Sequence, residues 1–322
     1  MKDTAMIIPT YDDMLAAHAR IRPHIRQTPV RTSDHLNELT GAELFFKCEN
    51  FQEPGAFKVR GAANAVFGLD DAQARLGVAT HSSGNHASCL SYAAMRRGIP
   101  CNVVMPRTAP QAKKDTVRRY GGRITECDPS TSSREETFAR VQAETGGDFV
   151  HPYNDPRVIA GQGTCAKEFI EQTDGLEIVL APIGGGGMIS GTCLTLSTLA
   201  PEVQIIAAEP EQADDAYRSF HAGRIIADDA PKTIADGLLV PLKELTWHFV
   251  SNHVSDILTA SDPEIVAAMK LIWKHLRVVM EPSSAVPLAT ILKNKERFAG
   301  KRVGVILTGG NVDLDRLPWM AG

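Results

Sequence analysis

The chain has 322 residues, 43% hydrophobic and 22% charged, with a formal net charge of -4. It is long enough for one large domain or two ordinary ones, its composition is that of an average soluble globular protein, and its mildly acidic balance gives no reason to expect a nucleic-acid or anionic-membrane partner. The six cysteines (Cys48, Cys89, Cys101, Cys127, Cys165, Cys193) are scattered without a CxxC pair, which argues against a disulfide framework and for reduced thiols in a cytoplasmic protein.

In chain order, the opening MKDTAMIIPTYDD has no long apolar run, so no signal peptide is expected. The first unusual stretch is ENFQEPGAFKVRGAANA, residues 49–65, with Lys58 among Gly55, Ala56, Phe57, Gly61 and Ala62 where a helix reads as beginning. A lysine at a solvated helix start is ordinary. A lysine among small residues has room beside it for something flat.

Beyond it, short β-like runs alternate with helix-like segments. The expected strands are GVATHS, PCNVVMP, RITECD, DFVHPY, EIVLAPI, VQIIAAEP and RVGVILTGG. The helical segments between them include HASCLSYAAMRRG, PQAKKDTVRRYGG, SREETFARVQAETGG and DPEIVAAMKLIWKHLR, several ending in Gly, the usual helix stop. Apolar strands alternating with helices predict an α/β fold of parallel sheets covered on both faces. The span from Gly77 to Tyr153 holds about four strand–helix units of its own and reads as a small domain inserted into a larger one. The uncharged run Ile178–Ala200 has the length of a membrane span. Pro182 and four consecutive glycines inside it favour a strand, a turn and a buried helix.

Three loops follow strands, where open α/β sheets bind ligands. THSSGNHAS offers Ser82, Ser83, Gly84, Asn85 and His86; PIGGGGMISG offers Gly184, Gly185, Gly186 and Gly187; LTGGNVD follows the last apolar strand. Without Cβ atoms the tetraglycine N–H groups can close round an anion, and the helix beginning near Met188 adds its partial positive charge. A packed or flexible turn is the plain alternative. A dinucleotide fingerprint also competes, with Glu209 about where a ribose-binding acid would sit. It fails on spacing, because Ser190 stands where the third glycine is needed. The five small polar residues of SSGNH exceed what one helix cap demands and suit a substrate carboxylate.

Taken in order, GAFKVRGA, SSGNH, GGGG and TGGNVD resemble the fold-type-II pyridoxal phosphate (PLP) enzymes, most closely the serine/threonine dehydratase and serine racemase family. The satellites TAP, YGG, HPY, IAGQGT, AAEP, TIADG and EPSSA extend the resemblance over nearly the whole chain. It implies a tryptophan-synthase-β-like fold with two open, mostly parallel twisted sheets. Residues 1–76 and 154–322 would form the large PLP-binding domain and 77–153 the small substrate-binding domain.

By the same resemblance, Lys58 binds PLP covalently and later exchanges the Cα proton. Phe57 and the small residues leave room for the ring, Gly184 to Gly187 hold the phosphate, and Asn85 bonds the 3′ oxygen. Gly237 and Glu281 line the ring, and Thr308 faces the pyridine nitrogen. The family usually has Ser or Cys at that last position. A hydroxyl cannot hold that nitrogen protonated as a carboxylate can, which suits β-elimination better than transamination. Ser83 is the implied acid/base on the opposite face, and Ser82, Gly84, Asn85 and His86 complete the substrate loop. Glu209, the Ala213 carbonyl and Asp215 resemble the family's divalent-cation site, an oxygen set that suits Mg²⁺, Ca²⁺ or Mn²⁺; a solvated acidic loop is the alternative.

The implied reaction is elimination of the β-hydroxyl from L-serine, L-threonine or 3-hydroxyaspartate, with amino-acid racemisation as the alternative. Arg134 matches an arginine that meets a second carboxylate in the racemase-like branch, and an arginine fork pairs well with a carboxylate. A solvated first helical turn beside Glu135 and Glu136 is the competing reading. His151 and Tyr153 are weaker candidates for the same pocket. Biosynthetic threonine dehydratases of the family carry a C-terminal regulatory domain, whereas this chain stops shortly after TGGNVDLDRLPW. A catabolic role without isoleucine feedback is therefore expected, in a homodimer or homotetramer.

Overall fold

The computed structural model describes residues 6–227 and 230–320. Within these residues the strands are β1 (Val30–Arg31), β2 (Glu43–Cys48), β3 (Val78–His81), β4 (Cys101–Pro106), β5 (Arg123–Cys127), β6 (Asp148–Phe149), β7 (Ile178–Pro182), β8 (Gln204–Pro210), β9 (Asp256–Ala260) and β10 (Arg302–Leu307). The first helices are α1 (Tyr11–Ile21), α2 (Asp34–Thr40), α3 (Lys58–Phe67), α4 (Asp71–Leu76), α5 (Asn85–Arg97), α6 (Gln111–Arg119) and α7 (Thr131–Thr145). They are followed by α8 (Pro156–Gln172), α9 (Gly187–Leu199), α10 (Asp215–Ala222), α11 (Glu244–His253), α12 (Asp262–Leu276), α13 (Pro282–Lys293) and α14 (Lys295–Phe298).

The strands form two sheets. One has six strands in the order β1-β2-β10-β7-β8-β9, the other four in the order β5-β4-β3-β6. Only the β1–β2 edge pair is antiparallel. All seven expected strands are present. The expected DFVHPY strand pairs only at Asp148 and Phe149, and the chain then leaves the sheet. The helix stops also hold: α5 and α7 end on Gly98 and Gly146, with φ of 73° and 66°, conformations that favour glycine. The uncharged run resolves into β7, a glycine turn and α9, and among the described residues no helix is long and apolar enough to cross a membrane.

Two apolar layers sandwich the six-stranded sheet. One gathers Met14, Ile159, Phe169, Ile189 and Phe249; the other Leu36, Ile265, Met269, Val286 and Leu288. A third core joins the four-stranded sheet to α3 and α5 through Val59, Val66, Val78, Leu90 and Val103. Helix α3, which begins at Lys58, is thus wedged between the two sheets.

Its anchor is polar. Arg60, fully buried, bonds Glu49 (2.6 and 2.8 Å) and Glu168 (2.8 and 2.7 Å), and Lys47 Nζ reaches Glu168 at 2.7 Å. Two cations and two carboxylates balance in the interior. Removing one partner from such a buried set costs about 3–5 kcal/mol, because the other charge is left stranded.

Candidate active site

The three loops predicted from sequence leave the carboxyl ends of β3, β7 and β10, and the segment after β6 joins them. That segment is the hub of the cleft. Lys58 Nζ donates to the Pro152 carbonyl at 2.8 Å. A Cβ on Gly185 would lie 2.6 Å from the Tyr153 ring, and one on Gly187 would lie 2.8 Å from Tyr153 Cβ. The lysine and the glycine loop are therefore held to the same four residues, Val150 to Tyr153. The HPY motif marks this segment in the sequence, but nothing there shows that a proline carbonyl receives the lysine.

Lys58 opens α3 without a side-chain cap, and its neighbour Phe57 donates its N–H to the Thr308 carbonyl at 2.9 Å. Lys58 Nζ stands 5.1 Å from the centre of the Phe57 ring. Burial pulls the lysine down from 10.5 to about 8, against smaller opposing effects from Cys89 and Glu281. A substantial fraction is then neutral amine near physiological pH, which an ordinary lysine lacks.

The glycine loop fits an anion. Gly186 has φ of 84°, and α9 starts immediately after it with no side-chain cap. The N–H groups of Gly187, Met188 and Ile189 precede the first intrahelical bond, from Ser190 to Gly186, and stand at the positive end of the helix. A Cβ on Gly184 would lie 2.7 Å from Leu238 Cα. The loop can lie this close to its neighbours only because it has no side chains.

On the opposite rim, Thr308 Oγ1 and Ser284 Oγ are 3.0 Å apart, and Ser284 Oγ also bonds Gly309 O (2.9 Å) and accepts from its N–H (2.8 Å). The Glu281 N–H donates to the Gly309 carbonyl at 3.0 Å. Its carboxylate accepts from Asn85 Nδ2 at 2.9 and 3.1 Å, and Asn85 Oδ1 accepts from Asn311 Nδ2 at 2.9 Å. Asn85, expected on the cofactor's 3′ oxygen, is here engaged with Glu281 and Asn311, so its amide must release a partner to reach a ligand. Burial raises Glu281 from 4.5 to about 7. Gly237 is tied in through its N–H to Ser283 Oγ at 3.2 Å. Ser284 and Asn311 were not singled out from sequence; the EPSSA and TGGNVD motifs contain them, but the bonding between the motifs is tertiary.

In the SSGNH loop, Gly84 rather than either serine takes the N-cap position of α5. Ser83 is exposed, and Ser82 Oγ accepts from Gly84 N–H at 3.4 Å. His86 is buried with Nε2 3.1 Å from the Val150 carbonyl, so Nε2 carries the proton; Nδ1 has no partner. Burial, then the Lys58 charge, lowers His86 to about 3, which keeps it neutral.

Arg134 lies in the first turn of α7 beside a cavity of about 150 Å³ lined by Pro106, Asp128, Pro129, Ser130 and Thr131. Its Nε is buried without a partner, whereas Asp128 in the same lining is engaged by Arg107 at 3.0 Å. The Arg134 charge is felt by His81 and Tyr153. Arg134 is half-buried in a turn whose neighbours Glu135 and Glu136 are exposed.

The acidic loop lies at the end of β8, and the Asp215 charge is felt by Tyr153. Glu209 is buried and accepts from the N–H groups of Ala216 (3.0 Å) and Tyr217 (2.7 Å). Burial, with a smaller contribution from Asp215, holds its carboxyl well above the usual range. Among the described residues no group of three or more His, Cys, Asp or Glu side chains is placed to hold a metal.

Comparison with known proteins accords with this geometry. The pyridoxal-phosphate dependent enzyme family matches residues 21–309. The chain is 88% identical over 314 residues to β-hydroxyaspartate dehydratase of Paracoccus denitrificans (strain Pd 1222), covering 98% of this chain and 100% of that one. It is 44% identical to L-threo-3-hydroxyaspartate ammonia-lyase of Saccharomyces cerevisiae, over 97% of this chain and 96% of that one. The structure of maize serine racemase superposes with a TM-score of 0.95 at 45% identity, over 98% and 97% of the two chains. A lysine amine lowered toward neutrality, an uncapped glycine-rich helix start and a buried hydroxyl after β10 are the donors PLP needs, and this chain belongs to the pyridoxal-phosphate dependent enzyme family.

Proposed function

We propose that this protein is a PLP-dependent dehydratase of 3-hydroxyaspartate, eliminating the β-hydroxyl to give an imine that water converts to a keto acid and ammonia. The 88% identity to β-hydroxyaspartate dehydratase supports the reading. The structural observation that carries it is the buried, unpartnered Nε of Arg134 beside an open cavity. A buried donor without an acceptor is costly, and the second carboxylate of a dicarboxylic amino acid is the acceptor it lacks.

PLP, when bound, supplies the electron sink that acidifies the substrate Cα–H. The chain's residues do the rest. Lys58, with a pKa of about 8, takes the proton at Cα. The Ser83 hydroxyl stands in the loop assigned to the other face. Ser82, Gly84, Asn85, His86 and the start of α5 receive the α-carboxylate. Gly184 to Gly187 hold the phosphate, while Thr308, Gly237 and Glu281 surround the ring.

The two-domain division, residues 77–153 against the remainder, follows the sheet assignment but shares α3 in its core. A divalent cation at Glu209, the Ala213 carbonyl and Asp215 belongs to the same proposal, supported by two mutually unfavourable carboxylates that a cation would relieve. It would take its remaining ligands from waters. A cytoplasmic homodimer or homotetramer rests on the resemblance alone.

The test is keto-acid release with PLP and Mg²⁺ from L-serine, L-threonine and each stereoisomer of 3-hydroxyaspartate. One hydroxyaspartate should dominate, and Arg134→Ala should lower its kcat/KM about 10²-fold. Faster turnover of serine or threonine, indifferent to Arg134, overturns the substrate assignment and leaves a general hydroxy-amino-acid dehydratase.

A further inference from the structure

Arg134 is only half of the positive charge at this edge of the cleft. Lys243 is exposed and immediately precedes α11, whose first turn is fastened to the site. Its neighbour Leu242 lies against the glycine loop, with Cδ2 2.7 Å from where a Cβ on Gly186 would be. Two residues on, the Leu245 N–H donates to Asn154 Oδ1 at 3.3 Å, and the Asn154 N–H donates to His151 Nδ1 at 2.9 Å. His151 meets Tyr153 and His81 edge to face, at centroid distances of 4.6 and 6.0 Å.

This row of rings lies within reach of two cations, Arg134 from α7 and Lys243 before α11, whose charges act on it. Burial keeps both imidazoles neutral, and the row registers both cations: Arg134 and Lys243 act on His81, and Lys243 also acts on His151. The opposing charges are Glu135 at His81 and, at Tyr153, Asp215 and then Glu244; Glu135 and Glu244 are each adjacent in sequence to one of the cations. Among the described residues neither Arg134 nor Lys243 has an ion-pair partner. Two cations without ion-pair partners, both acting on neutral rings, favour a dianion there.

We infer that Lys243 is a specificity-determining residue that, with Arg134, selects dicarboxylic over monocarboxylic amino acids. The inference rests on the proposed hydroxyaspartate activity and extends it to a second residue. Arg134 has the planar fork and the buried donor, so it fixes the carboxylate in place. Lys243 is a flexible, solvated point charge; it draws the dianion in and adds a modest, salt-sensitive preference.

The test uses the PLP-loaded enzyme and the variants K243Q and K243R, with two readouts. The first is the ratio of kcat/KM for 3-hydroxyaspartate to that for L-serine. K243Q should lower this ratio about fivefold, chiefly through KM, and K243R should restore it. The second is calorimetric binding of malonate, a non-reacting dicarboxylate, at low and high salt. K243Q should weaken malonate binding by a similar factor and flatten its salt dependence. No malonate binding by the wild type, or binding that is the same in K243Q at both salt concentrations, overturns the inference. The two readings fail separately: a wild type that prefers serine ends the hydroxyaspartate assignment, and malonate still decides Lys243.

Discussion

The two walls of the cleft differ in how completely their polar groups are satisfied. The wall on the six-stranded sheet is closed in most of its side chains, and its open donors are the backbone N–H groups of Gly187, Met188 and Ile189. Thr308, Ser284, Gly309 and Glu281 are bonded to one another, and Gly184 to Gly187 are packed against Leu238, Tyr153, Leu242 and Thr246. The wall on the four-stranded sheet is open. Ser83 is exposed, and both His86 Nδ1 and Arg134 Nε are buried without a partner. Buried polar groups are ordinarily paired, so unpaired ones in a cleft mark where a ligand completes the bonding. On the proposed function, the first wall is the preorganised cofactor side and the second the side a substrate completes.

The largest effect expected from breaking this contrast comes from Lys58, which joins the walls. Lys58→Ala should lower kcat by about 10⁴-fold and abolish the visible absorbance of bound PLP. A variant that keeps both would remove Lys58 from the site.

On the closed wall, Gly184→Ala puts a Cβ 2.7 Å from Leu238 Cα, which is backbone and cannot swing aside. An overpacking cost of about 1–3 kcal/mol should appear as a 10- to 10²-fold weaker PLP affinity in an absorbance titration. Unaltered affinity would mean that the loop has slack and does not act as a preformed cradle.

Glu281 tests how dry that wall is. Its pKa rises on folding from 4.5 to about 7. Between those values the unfolded carboxyl has lost its proton while the folded one keeps it, so stability falls as pH rises through this window. The loss amounts to about 3 kcal/mol. The thermal unfolding temperature of the cofactor-free protein from pH 4.5 to 7.5 should fall more steeply in the wild type than in Glu281→Gln, which keeps only the contribution of groups such as Glu209; parallel curves would contradict a buried, protonated Glu281.

The smallest effect concerns the seam between the walls. Lys113 of α6 pairs with Asp236, next to Gly237, but both side chains are substantially exposed. Such a pair contributes less than about 1 kcal/mol. Asp236→Asn should change kcat/KM only two- to threefold, an effect that salt removes; a loss as large as that of Arg134→Ala would make the seam part of the substrate site.

Much of this was legible from residues alone. Short apolar runs between helical segments, several of them Gly-stopped, predicted seven strands, and the glycine run after a strand marked a candidate anion site. Three strands, β1, β2 and β9, lie outside the expected runs, and the reasons for β1 and β2 differ. Strand β2, ELFFKC, carries Lys47, and a lysine reads as solvent-facing; here it is fully buried because Glu168 and Gln172, over 120 residues away, receive its ammonium at 2.7 Å. Strand β1 has two residues, too few for any period to show.

Residue identities alone carried the α/β alternation and singled out Lys58 and the glycine run as candidates for the site, because these depend on local periodicity and on which residues lack or carry a particular group. The tertiary structure alone shows that the Pro152 carbonyl receives Lys58, that Asn85 is bonded to Glu281, and that the charges of Arg134 and Lys243 both act on His81. Those facts depend on distances between segments far apart in the chain, and on burial that moves an amine to about 8 and a carboxyl to about 7. No residue carries its own dielectric surroundings in its name; packing supplies them.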